Sequence, residues 1–286
     1  MKNLIKRLLP KRFRKEGTVI PVVRLSGAIM TGGSALRPAL NLASVAQMLD
    51  KAFSVKKAPA VAVIVNSPGG SPVQSRLIFA RLRQLAEEKD KKVLVFVEDV
   101  AASGGYMIAL AGDEIIADPT SIVGSIGVVS GGFGFPELLK KIGVERRVYT
   151  SGENKVILDP FQPEKAADIE YLKTLQHEIH DVFIGMVKAR RAARLADDPD
   201  LFSGLFWTGT KALELGLIDG LGDLRGTLQA RYGKDVRPEL VTAARGFFGR
   251  RIPGVDAGGP ERIAAAAAGG LAQTVEERAL WARFGL

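Results

Sequence analysis

Residues 91–112 read KKVLVFVEDVAASGGYMIALAG, and this stretch sets the fold class. Val93 to Val97 is a nearly continuous apolar run rich in β-branched residues, which fits a strand buried on both faces. A small-residue turn, Ala102-Ser103-Gly104-Gly105, follows, and GGYMIALAG (104–112) reads as a short helix with a glycine stop. The pattern occurs once before: APAVAVIVNSPGG (58–70) is another buried strand that ends in a glycine turn, followed by an amphipathic helix from Gln74 to Lys89.

On the N-terminal side, TVIPVVRLSGAIM (18–30) predicts a strand and Leu40 to Phe53 a helix. DEIIAD (113–118) predicts a strand, GSIGVVSG (124–131) a glycine-punctuated segment, PELLKKIGV (136–144) a helix, and ERRVYTSG (145–152) another strand. Residues 164–196 predict a long helix with Ile169, Leu172, Ile179, Phe183 and Val187 on one side. Strands alternating with helices at this spacing imply an α/β fold of repeated units around a mainly parallel sheet.

The 286 residues suffice for a sizeable core, and 47% hydrophobic with 25% charged residues is ordinary for a globular chain. With no cysteine, the chain cannot carry disulfides, thiolate metal sites or a cysteine nucleophile. The net charge of +9 is concentrated at one end: seven of the first fifteen residues, MKNLIKRLLPKRFRK, are Lys or Arg and none is acidic. Leu4, Ile5, Leu8, Leu9 and Phe13 form an apolar stripe there, which reads either as a solvated tail or as an arm lying on anionic lipid. The longest apolar run in this arm is two residues, too short for a signal-peptide core or a membrane span. Beyond Arg245 the composition shifts to Gly and Ala (GGPERIAAAAAGG, 258–270), as in a loose linker, before a short amphipathic helix within residues 273–286 that is expected to dock on a neighbouring subunit. The expected organisation is a basic arm at 1–16, a main domain at 17–244 and a linker with a terminal helix at 245–286.

Two glycine turns at strand ends, SPGGS (67–71) and ASGGY (102–106), can present backbone N–H groups to a developing oxyanion. Ser103 between them reads with equal weight as a helix N-cap or as a nucleophile. A nucleophilic serine needs a base. His177 and His180 are three apart in HEIH, not the four of a zinc-binding HExxH helix, and they read as a solvated helix face. A Ser–Asp–His order can be drawn through Asp159 and His177, but the turn lacks the first glycine of G-x-S-x-G. Lys155 in TSGENKVILDP stands apart from the charged runs that hold most other lysines; by itself it reads as a surface lysine.

Taken together, NSPGGS (66–71), DVAASGGYMIA (99–109), GSIGV (124–128), SGENK (151–155) and WTGTKALELGLIDG (207–220) resemble, in order and spacing, the signal peptide peptidase A-like serine endopeptidases of family S49. The resemblance spans roughly residues 18–232. It implies a crotonase/ClpP-like fold and a Ser–Lys dyad. Ser103 would be the nucleophile, Lys155 the general base and Ser125 the residue that orients the lysine. Gly70 and Gly104, with Gly69 in the same turn, would form the oxyanion hole. It also implies hydrophobic peptide substrates such as signal-peptide remnants, no cofactor or metal, and ring- or dome-like homo-oligomers. In single-domain members the dyad can be completed across an interface, which would pair Lys155 with a neighbour's Ser103.

Many relatives carry a transmembrane N-terminus; here only the basic arm stands in that place. The expectation is therefore a cytoplasmic protein, without signal peptide or transmembrane segment, whose residues 1–15 touch anionic lipid at the inner face of the membrane. The competing readings are a crotonase-like acyl-CoA enzyme, which would need no serine at position 103, and an inactive membrane-associated scaffold. A nucleic-acid binder is disfavoured, because no aromatic-interleaved basic motif accompanies the arm.

Overall fold

The computed structural model describes residues 17–32, 39–242 and 277–286. The basic arm and the Gly/Ala-rich stretch lie outside these, so the readings made on them are not addressed by the fold.

Eight strands of the described residues form one sheet: β1 (Val19–Ser26), β2 (Ala60–Ser67), β3 (Lys92–Ala102), β4 (Glu114–Ala117), β5 (Ile122–Gly124), β6 (Phe206–Thr208), β7 (Gly220–Leu221) and β8 (Arg237–Leu240). The main path runs β6-β5-β3-β2-β1-β8, with β4 beside β3 and β7 beside β4. All pairings are parallel except β5 with β6. The helices are α1 (Leu42–Phe53), α2 (Pro72–Lys89), α3 (Gly104–Ala109), α4 (Pro136–Lys141), α5 (Ala166–Arg191), α6 (Gly209–Glu214) and α7 (Leu224–Tyr232), with a further short helix at 277–282. The mainly parallel sheet with its long helix is the crotonase/ClpP-like α/β class expected from the sequence.

Side chains alternate across a strand, so the continuous apolar runs in β2 and β3 must be covered on both faces. Val61, Val63, Val65, Val93, Val95 and Val97 pack with α1, α2, α3 and α5. Ala60, Ala62, Ile64, Leu94 and Phe96 face the other way, onto Leu228 of α7. Local chemistry sets the helix starts. Asn41 and Ser44 form a reciprocal capping box on α1, and Ser71 caps α2 ahead of Pro72.

Strand β3 is long enough to serve two neighbours. Leu94–Val97 pairs with β4 and Val100–Ala102 pairs with β5. Its register against β2 shifts between Val65 and Ser67, where an irregularity lengthens β3 relative to β2. Asn66 stitches the shift, donating from Nδ2 to Asp99 (2.6 Å) and accepting at Oδ1 from the Val100 N–H (3.2 Å). The ends of β2, β3 and β5 are thereby brought together.

Two sequence expectations fail. The predicted strand at 145–152 does not form; its residues are exposed and have no regular secondary structure. Among the described residues, the segment pairs with no strand of the sheet. The apolar stripe expected along the long helix is buried only at Phe183 and Val187, because only the C-terminal half of α5 lies over the core. Further toward its N-terminus, Tyr171, Leu175, Ile179 and Val182 form an exposed stripe. Segment 129–149 also exposes Val129, Leu138, Ile142 and Val144, with Phe133 at 82% and Tyr149 at 90%.

Candidate active site

The site grows from the glycine turn after β2. Gly69 (φ 102°) and Gly70 (φ 135°) adopt backbone angles that side chains strain to reach. The turn is clamped to the segment after β1: the Ile29 N–H donates to the Gly69 carbonyl (2.8 Å) and the Ser71 N–H donates to the Ile29 carbonyl (2.7 Å). A Cβ on Gly70 would stand 2.1 Å from the Ile29 oxygen, and one on Gly69 would stand 2.9 Å from the Gly104 nitrogen. The two glycine turns therefore meet backbone to backbone. Gly70→Ala is expected to cost about 1–3 kcal/mol through strain and displacement of Ile29, read as a lowered melting temperature.

Ser103 ends β3 with φ 52° and ψ −121°, a conformation rare for a non-glycine residue. Strain of this kind persists where surroundings over-determine it and marks functional turns. Its N–H donates to the Gly124 carbonyl (2.8 Å), continuing the β3–β5 ladder, and its carbonyl starts α3 by accepting from the Met107 N–H (3.0 Å). It occupies the N-cap position, yet its hydroxyl makes no capping bond. The expected side-chain cap on α3 is thus absent, although Ser103 holds the N-cap position.

The β3–β5 register sets Ser125 beside Ser103. Ser125 is buried, also has positive φ (53°), and its N–H donates to the Leu205 carbonyl (2.7 Å). Both serines line a cleft of about 300 Å³ with Gly127, Val128, Val129, His180, Ser203, Gly204 and Arg283. The cleft continues past Ser103 to Gly70, Gly104, Met107, Ile179 and Phe183. The part around Ser125 is mainly polar, with His180, Ser203 and Arg283 beside the two serines, whereas the extension is apolar at Met107, Ile179 and Phe183. A larger groove of about 980 Å³ lies elsewhere, between Arg24, Glu98, Asp223 and Leu286, and does not include Ser103. Just beyond the terminal helix, Phe284 packs edge-on against Phe206 of its own chain (5.0 Å) and also lines that groove.

The structure thus brings together Ser103, Ser125, Gly69, Gly70 and Gly104, and leaves Lys155 out. Lys155 is exposed in the turns over 151–158 and lines neither part of the Ser103 cleft. The histidines divide: His177 is exposed as expected, but His180 is half-buried in the cleft, with Nε2 2.9 Å from the Ile126 carbonyl. Nothing in HEIH marks the difference, because it depends on which side of α5 meets the sheet. Among the described residues there is no His, Asp and Glu cluster able to hold a metal ion.

The profile of the family described as Peptidase family S49 matches residues 85–235, more than half of the chain, from the last turn of α2 through Ser103 and the Lys155 turn. The chain belongs to peptidase family S49. The chloroplastic serine protease SPPA of Arabidopsis thaliana is 33% identical over 71% of this chain and 29% of its own. Protease 4 of Haemophilus influenzae is 34% identical over 71% of this chain and 32% of its own. A Brucella abortus protein named Na(+)/H(+) antiporter NhaA is 68% identical over 99% of this chain. The chain spans 39% of the length of that protein. No described helix of this S49 chain is long and apolar enough to cross a membrane.

Proposed function

We propose that this chain is a serine endopeptidase in which Ser103 is the nucleophile and Lys155 of a neighbouring subunit is the general base. The observation that carries the reading is the strained Ser103 turn, uncapped and open to the cleft beside the Gly70 and Gly104 amides. Neither of these amides donates a hydrogen bond to another described residue, so both are free for an oxyanion. The free amine of Lys155 takes the Oγ proton, and Oγ attacks the scissile carbonyl carbon. The oxyanion is held by the two amides. The protonated lysine then returns its proton to the leaving nitrogen as the C–N bond breaks. Water, deprotonated by the same amine, cleaves the ester and restores Ser103.

The apolar extension of the cleft at Met107, Ile179 and Phe183 favours hydrophobic peptides, such as signal-peptide remnants. The apolar surface on segment 129–149 and along α5 favours a ring- or dome-like assembly, since exposed patches of this kind mark interaction sites. The exposed Lys155 turn adjoins that surface in sequence, which supports a dyad completed on assembly. Within this reading Ser125 orients the lysine, residues 17–244 form the peptidase unit, and residues 1–15 add contact with anionic lipid at the inner face of the membrane.

Mixing tests the shared site. Ser103→Ala and Lys155→Ala proteins, each inactive alone, are expected to regain hydrolysis of a hydrophobic peptide when co-assembled. Recovery should approach about a quarter of wild type, because half of the subunits keep Ser103 and half of their neighbours keep Lys155. Two inactive proteins that stay inactive in a verified mixed oligomer would overturn the shared dyad.

A further inference from the structure

We propose that His180 is a positioning residue for this site, holding the Ser125–Ile126 turn against Ser103. The inference rests on the reading of Ser103 as nucleophile, and it begins from a hydrogen bond. His180 Nε2 stands 2.9 Å from the Ile126 carbonyl. A carbonyl oxygen can only accept, so Nε2 carries the proton. This holds for the neutral and the cationic ring alike. Engaged in this way, Nε2 has no lone pair to offer Ser103, and a general-base role at that atom is excluded.

The Ser125–Ile126 turn needs such a tether. Ser125 has φ 53°, a strained state that must be imposed from outside. The main chain contributes three bonds around it: Ser103 N–H to the Gly124 carbonyl (2.8 Å), Ser125 N–H to the Leu205 carbonyl (2.7 Å), and Gly127 N–H to the Ser125 carbonyl (3.0 Å). The Ile126 carbonyl points to α5, and His180 meets it from 54 residues away in sequence. The Ile126 side chain is fully buried, so the peptide cannot swing without disturbing the core. The same helix supplies Ile179 and Phe183 to the extension of the cleft that holds Gly70 and Gly104. Through His180, α5 therefore keeps the Ser125 wall and the Ser103–Gly70 wall in one register. A misplacement of about 1 Å in such a constellation costs about a hundredfold in rate.

The test measures the rate at which a fluorophosphonate modifies the assembled protein, separating its maximal rate from its half-saturating concentration. Glutamine places an amide N–H near the position of Nε2, asparagine places it too short, and phenylalanine fills the volume without a donor. His180→Phe and His180→Asn are expected to lower the maximal rate about tenfold to a hundredfold, with half-saturation little changed. His180→Gln is expected to stay within about threefold of wild type, since it restores the donor. If His180→Phe does not fold, the Gln and Asn pair, both polar and smaller than the ring, still decides. Equal rates for Gln and Asn would overturn the role of the Nε2–H, as would a wild-type rate in His180→Phe. Ser103→Ala serves as the control that separates the two readings. Label retained in Ser103→Ala overturns the peptidase reading itself, whereas label lost there but unchanged in the His180 variants overturns only the role of His180.

Discussion

Ser103→Ala is expected to leave the sheet intact and reduce peptide hydrolysis by about a thousandfold or more, the scale seen when an acyl-transfer nucleophile is removed. The substitution deletes only Oγ. Alanine must still accept the positive φ that Ser103 already bears, and the N–H and carbonyl bonds to Gly124 and Met107 are main-chain bonds that remain. Fluorophosphonate labelling gives the sharper reading. Wild type and His177→Ala should label, because His177 is exposed and outside the cleft. Ser103→Ala and Lys155→Ala should not. Labelling that survived in Lys155→Ala but disappeared in His177→Ala would replace the lysine by a histidine base.

Arg191→Met is expected to destabilise the fold by up to about 3–5 kcal/mol, because it removes the buried partner of Asp219 and leaves that carboxylate only the exposed Arg194 at 3.5 Å. Only 2% of the Arg191 side chain is exposed. It donates from Nε to the Gly216 carbonyl (2.8 Å) and from a terminal nitrogen to Asp219 (2.7 Å), while Asp219 also accepts from the Ile115 N–H (2.8 Å). Tyr106, three residues beyond Ser103, donates to the nearby Leu217 carbonyl (2.7 Å). The network thus anchors the end of α5 and the floor under α3. For a domain of this size the loss corresponds to a melting temperature lower by roughly 6–20 °C. The double variant Arg191→Met with Asp219→Asn should recover a large part of it, because no buried charge is then left alone.

The pH dependence of stability should change with the pair. Burial pushes the Asp219 carboxyl up, but the Arg191 guanidinium and the Ile115 amide outweigh it and hold the group below the usual carboxylate range. A carboxyl whose pKa is lower in the folded state contributes stability that is fully present above the unfolded value of about 3.9. That contribution is lost as the pH falls through the folded value. Acid unfolding curves of wild type and the double variant should therefore converge below about pH 4 and separate above it. Curves that stay equally far apart across that range would remove Asp219 from the acid response.

Much of the site was legible in the chain because its makers are local. Glycine turns announce themselves wherever the backbone needs positive φ or close approach, and Gly69-Gly70 does both. Apolar runs such as 60–65 and 93–97 name buried parallel strands, since few other environments accept them. Ser103 was legible as a residue at a strand-to-helix turn, although its composition alone left cap and nucleophile level. The predicted strand at 145–152 failed for the converse reason. Val148, Tyr149 and Thr150 suit a strand but name no pairing partner, and among the described residues the segment pairs with none.

Strand identity, the two glycine turns and the order of the motifs follow from residues adjacent in the chain, where steric preference and apolar periodicity act over a few bonds. Three features come only from packing between distant segments. They are the Asn66 stitch that lets β3 reach β5, the side of α5 that delivers His180 rather than His177, and the separation of Lys155 from the Ser103 cleft. Each depends on how a helix or strand is rotated and registered against a partner tens of residues away. That choice is made by the summed burial of the whole core, and no single motif carries it.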